Sequence, residues 1–337
     1  MIEGHGDDLY RYKGKVAHNF STNIISDRNH DGLLYELRRE LPCIGSYPEP
    51  WPLSLENKLG GILGCSRENI VVTSGATDAV YRIALIHHGG RSAVCRPTFR
   101  EYQDACALHD HSVSFFDAIE GVPEESDLVW LCNPNNPTGK TWDKRELLCL
   151  AERMPSAWIV VDQAYSDYSV APVLTVEEAL SHRNIILLSS LTKRYSVPGL
   201  RVGYLTASEE ICEAIRSHGL PWAVSSPAIS GASYLLDHSG DYPIRKEWLH
   251  AEIMRIAEGF REMGISTSET DCNFILCRLP EGRKASDLKE YLVAEKNILI
   301  RDASNFEGLD SGYFRVAAQD EAANDLLLKG IREWILG

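Results

Sequence analysis

The sequence predicts an α/β fold in which a large domain contains a mostly parallel sheet of seven strands and a smaller α+β domain follows it. Between residues 70 and 207, short apolar runs rich in β-branched residues alternate with stretches of helical period. Each run ends in a glycine, a proline or a polar cluster, as strands of α/β proteins do. After Pro221 this alternation stops. The length of 337 residues is enough for two domains of ordinary size.

The large domain is predicted to contain seven strands and at least three crossover helices. The strands are at residues 71–73, 92–95, 113–116, 128–132, 158–161, 185–188 and 201–206. The helices are at residues 77–87, 144–154 and 208–217. Because the strands are continuously apolar, we expect helices to cover both faces of the sheet.

The last third of the chain carries a different pattern. It predicts a long amphipathic helix at 244–263, strands at 274–277 and 298–300, and a closing helix at 321–336. We therefore divide the chain into three parts. They are an N-terminal arm that joins the small domain (1–30), a large domain (31–220) and a small C-terminal domain (221–337).

The composition excludes several classes of partner. The 34 basic and 48 acidic residues give a net charge of −14, which disfavours a nucleic acid or an anionic membrane as partner. The nine cysteines include no Cys-x-x-Cys pair, so neither a metal site nor a disulfide framework is predicted. No basic and apolar leader follows Met1, and no apolar run approaches the roughly 20 residues of a membrane span. We therefore expect a cytoplasmic protein.

The segment from Leu187 to Tyr204 is the sharpest chemical signal. It places Lys193 just past an apolar strand, where a partly desolvated amine can lose its proton and form a Schiff base. Two hydroxyls and a guanidinium accompany the lysine, on Ser190, Thr192 and Arg201. Together they would make a clamp for a phosphate group.

Three more polar segments follow predicted strands, where parallel sheets bind ligands. Gly75, Ala76 and Thr77 open a helix, whose free amides and dipole can hold a phosphate, although an ordinary helix cap would look the same. Asp162 ends an apolar strand, and a buried acid needs a cationic partner. The third segment, from Asn133 to Gly139, is a tight polar turn.

Taken together, Asn-Pro-Thr-Gly, Asp-x-x-Tyr and Lys-x7-Arg in this order resemble the class I/II aminotransferases among the fold-type I pyridoxal-phosphate enzymes. The resemblance implies that Lys193 forms the Schiff base, that Asp162 pairs with the pyridine nitrogen, and that Asn136 and Tyr165 bond the ring hydroxyl. Lys193, Asp162 and Tyr165 are the implied catalytic residues. By the same likeness Phe99 stacks on the ring, with Tyr102 as the less favoured candidate, and the phosphate cup consists of Gly75, Ala76, Thr77, Ser190, Thr192 and Arg201. Tyr47 resembles a tyrosine that reaches the cofactor phosphate of a neighbouring subunit, which implies a homodimer.

Two branches of this family use phosphorylated substrates, histidinol-phosphate aminotransferase and the threonine-phosphate decarboxylase of cobalamin biosynthesis. Three stretches favour the decarboxylase branch: Gly4 to Tyr10, Asn19 to Ile24, and Ile298 to Arg315. Two departures weaken the likeness, since Asp7 stands where a second glycine is expected, and the proline expected soon after Asn-Ile is missing.

The implied substrate-binding residues include two arginines with planar, bidentate guanidinium groups. By the resemblance Arg315 binds the substrate carboxylate, Arg301 binds the distal phosphate, and Asn23 and His5 assist. Decarboxylation and transamination both stay open, because they differ in which Cα bond stands perpendicular to the cofactor ring. An NAD-linked dehydrogenase is a distant alternative, but no G-x-G-x-x-G follows a predicted strand.

Overall fold

The structure, a computed structural model, describes residues 8–12, 14–26 and 28–337. The described strands are β1 (His18–Asn19), β2 (Ile70–Thr73), β3 (Arg91–Cys95), β4 (Ser112–Phe116), β5 (Leu128–Cys132), β6 (Trp158–Asp162), β7 (Ile185–Ser190), β8 (Gly203–Thr206), β9 (Ser266–Thr267), β10 (Phe274–Arg278), β11 (Ile298–Leu299), β12 (Arg301–Asp302) and β13 (Tyr313–Ala317). The described α-helices are α1 (Asp31–Glu40), α2 (Leu53–Leu63), α3 (Ala76–Ile86), α4 (Glu101–Leu108), α5 (Lys144–Arg153), α6 (Val176–Leu180), α7 (Leu191–Tyr195), α8 (Glu209–Ser217), α9 (Ser226–Asp237), α10 (Lys246–Glu262), α11 (Ala285–Lys296) and α12 (Glu321–Leu336).

The central sheet has seven strands in the order β2-β8-β7-β6-β5-β3-β4, and it confirms the predicted mostly parallel sheet. Only β8 runs antiparallel, and it does so against both of its neighbours, β2 and β7. The predicted strand at 201–206 starts later than expected, at Gly203. Its first predicted residue, Arg201, has a left-handed φ of 55°, which a strand residue does not adopt.

Strand β5 shows why the apolar runs of the sequence form this sheet. Its residues are buried throughout, and successive side chains enter opposite faces. Leu128 and Trp130 belong to the hydrophobic cluster on one face, whereas Val129 and Leu131 belong to the cluster on the other. A strand with two buried faces has no polar alternation, so the continuous apolar run is what a central strand requires.

A second sheet is formed by the C-terminal third of the chain, in the antiparallel order β12-β13-β10-β9. Helices α10, α11 and α12 pack together beside it. Strand β1 pairs in parallel with β11, so the N-terminal segment attaches to this part of the molecule. The predicted strand at 298–300 is divided, because Ile300 separates β11 from β12, which pair with different partners.

Helix α9 packs against α1 and α2, although it lies beyond the predicted domain boundary at residue 220. Ala228 and Leu235 of this helix share a hydrophobic cluster with Leu33 and Leu55. The three-part division of the chain stays a prediction, and this packing favours a boundary that follows α9. Within the described part of the chain, we find no helix with both the length and the apolar character needed to cross a membrane.

Candidate active site

A cleft of about 240 Å³ lies at the carboxyl ends of β5, β6 and β7. The N-terminus of α3, the segment after β1 and strands β12 and β13 of the second sheet close its other sides. Its lining residues are Ser21, Thr22, Ile24, Ala76, Thr77, Val80, Phe99, Arg100, Cys132, Asn136, Asp162, Ala164, Tyr165, Ser190, Thr192, Lys193, Pro198, Arg201, Arg301, Phe306 and Arg315.

Lys193 enters this cleft from the short helix α7, which begins directly after β7. Its Nζ donates a hydrogen bond to the Thr22 carbonyl oxygen at 3.1 Å and lies 5.6 Å from the centre of the Tyr165 ring. The Tyr168 hydroxyl donates to the Lys193 carbonyl oxygen at 2.8 Å, which fixes the backbone that carries the lysine. The amine is half-buried and stands at the floor of the cleft.

Asp162 ends β6 and is only 4% exposed. Its carboxylate accepts a hydrogen bond from the Tyr102 hydroxyl at 2.7 Å and another from the Ala164 amide at 2.9 Å. Burial raises the pKa of Asp162, while the Tyr102 donor, the Ala164 donor and the Lys193 charge act to lower it. A carboxylate held this way is well suited to a cationic ligand group.

The two aromatic candidates of the 96–102 segment have different places. Phe99 lines the cleft, whereas Tyr102 lies behind it, fully buried and stacked on Trp130 at 5.3 Å between ring centres. Asn135 fixes this segment, since its side chain bonds both the Thr98 hydroxyl at 2.8 Å and the Pro97 carbonyl at 2.9 Å. Phe99 is therefore the ring placed to stack on a ligand.

The N-terminus of α3 forms an anion cup with the segments around Lys193. Helix α3 begins at Ala76 without a capping side chain from Gly75, so its first amides stay available for a ligand. Thr192 contributes a buried hydroxyl that has no hydrogen-bond partner among the described residues. Gly75 has φ of 83°, and a Cβ there would lie 2.6 Å from the Arg201 Nη2 atom. Only glycine leaves room for that guanidinium.

Arg301 and Arg315 are direct partners across the β12–β13 ladder, so their side chains leave the same face of the sheet. Arg315 donates to the Asn136 amide oxygen and to the Ser21 carbonyl oxygen, and its buried Nε has no partner among the described residues. Neither arginine forms an ion pair with a carboxylate of the described chain. Burial lowers the pKa of both, that of Arg315 to about 10, an effect to which the Arg301 charge adds and which Tyr165 opposes. Two buried cations that form no direct ion pair with a described carboxylate make this end of the cleft a site for anions.

Twelve of the residues predicted from the sequence line the cleft together. They are Ala76, Thr77, Phe99, Asn136, Asp162, Tyr165, Ser190, Thr192, Lys193, Arg201, Arg301 and Arg315. Asn23 is fully buried between two lining residues, and its amide atoms have no hydrogen-bond partner among the described residues. Tyr47 lies elsewhere, 84% exposed and packed on Trp222. His5 lies outside the described residues.

Several site residues were not found by sequence reasoning. Arg100 and Phe306 line the cleft, and Tyr102 bonds Asp162 instead of facing the ligand. Arg100 directly follows Phe99, and this position next to a predicted site residue was the signal that could have identified it. The partnership of Tyr102 with Asp162 joins residues 60 positions apart, and no local pattern indicates it.

Comparison with known proteins identifies the family of this chain. Residues 44–331 match the family described as "Aminotransferase class I and II". The chain therefore belongs to the class I and II aminotransferase family, as its motifs predicted. Enzymes of this family depend on pyridoxal 5'-phosphate, so this chain is an enzyme of that kind and the NAD-linked alternative loses its basis.

The similar proteins include enzymes with two activities that involve phosphorylated compounds. The chain is 29% identical to threonine-phosphate decarboxylase of Salmonella typhimurium, over 94% of this chain and 91% of the relative. It is 30% identical to histidinol-phosphate aminotransferase 2 of Archaeoglobus fulgidus, over 92% of each. Its structure matches that of L-threonine-O-3-phosphate decarboxylase from Porphyromonas gingivalis with a TM-score of 0.91 and 33% identity, covering 95% of this chain and 100% of that one. These are the two activities that the sequence predicted.

Proposed function

We propose that this enzyme acts on a phosphorylated amino acid, as a threonine-phosphate decarboxylase does. The observation that carries the proposal is the pair of buried arginines, Arg301 and Arg315, neither of which forms an ion pair with a carboxylate of the described chain. A substrate with a carboxylate and a phosphate supplies one anion for each guanidinium. The net charge of −14 does not oppose this binding, because the positive field is confined to the cleft.

The described residues fit pyridoxal 5'-phosphate from end to end. The unpartnered Thr192 hydroxyl, the uncapped start of α3 and Arg201 would hold its phosphate. Asp162 would hold its ring nitrogen protonated, and Lys193 would bond its aldehyde carbon. When bound, the cofactor supplies a ring that draws electrons from the substrate Cα. Burial raises the pKa of the Tyr165 phenol, so Tyr165 stays protonated and can donate a hydrogen bond to the ring oxygen.

The side chains around the substrate decide which of its bonds breaks. Arg315 is held by Asn136 and Ser21, so it presents its remaining donors in a fixed direction. Arg315 on the carboxylate and Arg301 on the phosphate would together fix the orientation of the substrate Cα. An orientation that exposes the bond to the carboxylate would favour decarboxylation. An orientation that points the Cα–H bond at the Lys193 amine would let that amine take the proton, as transamination requires.

Histidinol-phosphate aminotransferase is the second candidate, because a relative with that name is 30% identical over 92% of this chain. Histidinol phosphate has no α-carboxylate, so Arg315 would then serve only the co-substrate amino acid. The decisive experiment incubates the enzyme with threonine phosphate and measures carbon dioxide, beside histidinol phosphate with 2-oxoglutarate and a measurement of glutamate. Carbon dioxide from the first mixture supports the proposal, and glutamate from the second supports the alternative.

Arg301→Leu is expected to weaken binding of threonine phosphate by about 1.5–3 kcal/mol, the contribution of a hydrogen bond to a charged group. Binding of unphosphorylated threonine should change much less, because it lacks the group that Arg301 meets. The measurement is KM, or Kd by calorimetry, for both compounds. Arg315→Leu is the matched control, since it should impair both compounds through their shared carboxylate. If Arg301→Leu loses the same binding affinity for both compounds, Arg301 does not bind the phosphate.

Tyr102→Phe is expected to weaken cofactor binding by about tenfold, because it removes one of the donors that keep the buried Asp162 ionised. Without that donor the pKa of Asp162 rises further, and more of the carboxyl is neutral at the pH of the measurement. The check is titration of the apo-protein with pyridoxal 5'-phosphate, followed by absorbance. Tyr81→Phe is the control, since Tyr81 donates to Glu101 at 2.9 Å outside the cleft. Cofactor binding should be weakened in Tyr102→Phe and unchanged in Tyr81→Phe. An equal loss of cofactor affinity in both variants would indicate a general effect on the fold.

We propose three further assignments. A homodimer is supported by the exposed apolar side chains of α1 and the turn after it, including Tyr35, Ile44 and Tyr47. In such a dimer Tyr47 would reach the partner's cofactor. Participation of His5 is supported by Asp8, whose carboxylate pairs with Lys289 and also acts electrostatically on Arg301. The cytoplasmic location rests on the cysteines, which are all free thiols.

A further inference from the structure

The cleft holds one more cation than the predicted roles use. Five cationic side chains line it: Arg100, Lys193, Arg201, Arg301 and Arg315. Among its described lining residues Asp162 is the only acid. The Lys193 amine and Arg201 serve the cofactor, and Arg315 serves the substrate carboxylate. A phosphate monoester is a dianion above its second pKa of about 6, and Arg301 alone supplies one charge against it.

Arg301 is also partly offset by neighbouring acids. Asp302 and Asp8 both act electrostatically on its guanidinium. Its Nη2 atom is bonded to the Asn305 side-chain oxygen at 2.7 Å, which leaves the other donors for a ligand. A second cation at this end of the cleft would complete the charge balance of a bound dianion.

Arg100 occupies the required place. It directly follows Phe99, and its Nη1 donates to the Asn305 carbonyl oxygen at 3.3 Å. Asn305 thus bonds Arg301 through its side chain and Arg100 through its backbone. The two guanidinium groups therefore contact the same residue, and both arginines line the same cleft.

The present contacts of Arg100 are weak enough to exchange for a ligand. Its Nε lies 3.3 Å from the Asp104 carboxylate, and the two side chains are 43% and 23% exposed. An ion pair four residues apart on an exposed helix surface adds little stability, because water competes for both groups. The side chain can turn toward a phosphate at small cost.

We propose that Arg100 is a second phosphate-binding residue, which together with Arg301 clamps the substrate's distal phosphate as a dianion. This inference rests on the proposed function, since it requires a phosphorylated substrate. Asn305 acts as a positioning residue for both arginines. The clamp makes the enzyme prefer the dianion to the monoanion, so substrate affinity rises as pH increases through about 6.

The test is Arg100→Gln, with Arg91→Gln as the matched control. Arg91 is likewise exposed and paired with an aspartate, Asp127, but does not line the cleft. In Arg100→Gln the Kd for threonine phosphate should rise about tenfold at pH 7.5 and change less at pH 5, and the value for threonine should stay within twofold. The second measurement is calorimetric binding of inorganic phosphate to borohydride-reduced holoenzyme, in which Lys193 can no longer react. Arg91→Gln should match the wild type in both.

The outcomes separate this inference from the proposed function. If the wild type binds threonine phosphate no better than threonine, the proposed function and the clamp are both overturned. If the wild type prefers the phosphate and Arg100→Gln keeps that preference and its pH dependence, only the role of Arg100 is overturned. A selective loss in Arg100→Gln, absent in Arg91→Gln, supports the clamp.

Discussion

Lys193→Ala is expected to lower turnover by at least about a thousandfold while the fold stays intact. The reason is that Lys193 carries the only primary amine among the described lining residues of the cleft, where it lies beside Asp162 and Tyr165. Its contribution to the fold is small by comparison. The Nζ atom donates to the Thr22 carbonyl oxygen, a hydrogen bond whose net contribution is about 0.5–1.5 kcal/mol.

Four measurements check this result. Turnover is assayed with threonine phosphate, the far-ultraviolet circular dichroism and thermal unfolding report the fold, and borohydride reduction reports the covalent bond to the cofactor. Lys329→Ala is the control, because Lys329 is exposed on α12, away from the cleft. Borohydride should fix the cofactor to the control protein and leave Lys193→Ala unlabelled. A fully active, labelled Lys193→Ala enzyme would disprove the assigned role.

Asp162→Asn is expected to produce the second largest loss, about 100-fold or more in kcat. Removing one charge of a buried ion pair costs about 3–5 kcal/mol, and each 1.36 kcal/mol is a factor of ten. The amide has nearly the same shape as the carboxylate, so it keeps the cleft packed but cannot hold a ring nitrogen protonated. The check is kcat together with the absorption spectrum of the bound cofactor.

Stability of the apo-protein should not fall in the same way. Burial raises the pKa of Asp162, so the folded chain holds this proton more tightly than the unfolded chain does. Folding is therefore weakened as pH rises above the unfolded value of about 3.9, and a residue that cannot titrate avoids this loss. Thermal unfolding measured against pH should show that the stability of Asp162→Asn increases relative to that of the wild type between pH 4 and neutrality. A large loss of apo-protein stability would assign Asp162 to the fold.

The central sheet was predictable because its signal is local. Each buried strand, such as Leu128–Cys132, needs a continuous apolar run, and each run can be recognised from a few consecutive residues. The same holds for Lys193 and Asp162, which stand where such runs end. By contrast, no element was assigned to residues 31–63, where α1 and α2 form. Their apolar residues become a buried helix face only through packing against α9.

The parts of the site that escaped prediction depend on contacts between distant residues. Tyr102 was considered only for ring stacking, and its hydroxyl proved to bond Asp162, 60 residues away. The role proposed for Arg100 depends on its contact with Asn305, which lies 205 residues further along the chain. Arg301 and Arg315 could be named from a family resemblance, but their direct pairing across a two-stranded ladder needed the structure.

The bond between Arg315 and the Ser21 carbonyl oxygen joins residues 294 positions apart, and it has a consequence for biosynthesis. A chain is made from its N-terminus at about 5–20 residues per second, so Ser21 leaves the ribosome long before its partner exists. The segment that carries Phe20, which is fully buried in the finished protein, must wait until β11 and β13 emerge. The large sheet can form during this interval, whereas the substrate end of the cleft cannot. The enzyme can therefore form its large sheet early in synthesis, but it gains its capacity for specific substrate binding only after β13 has emerged.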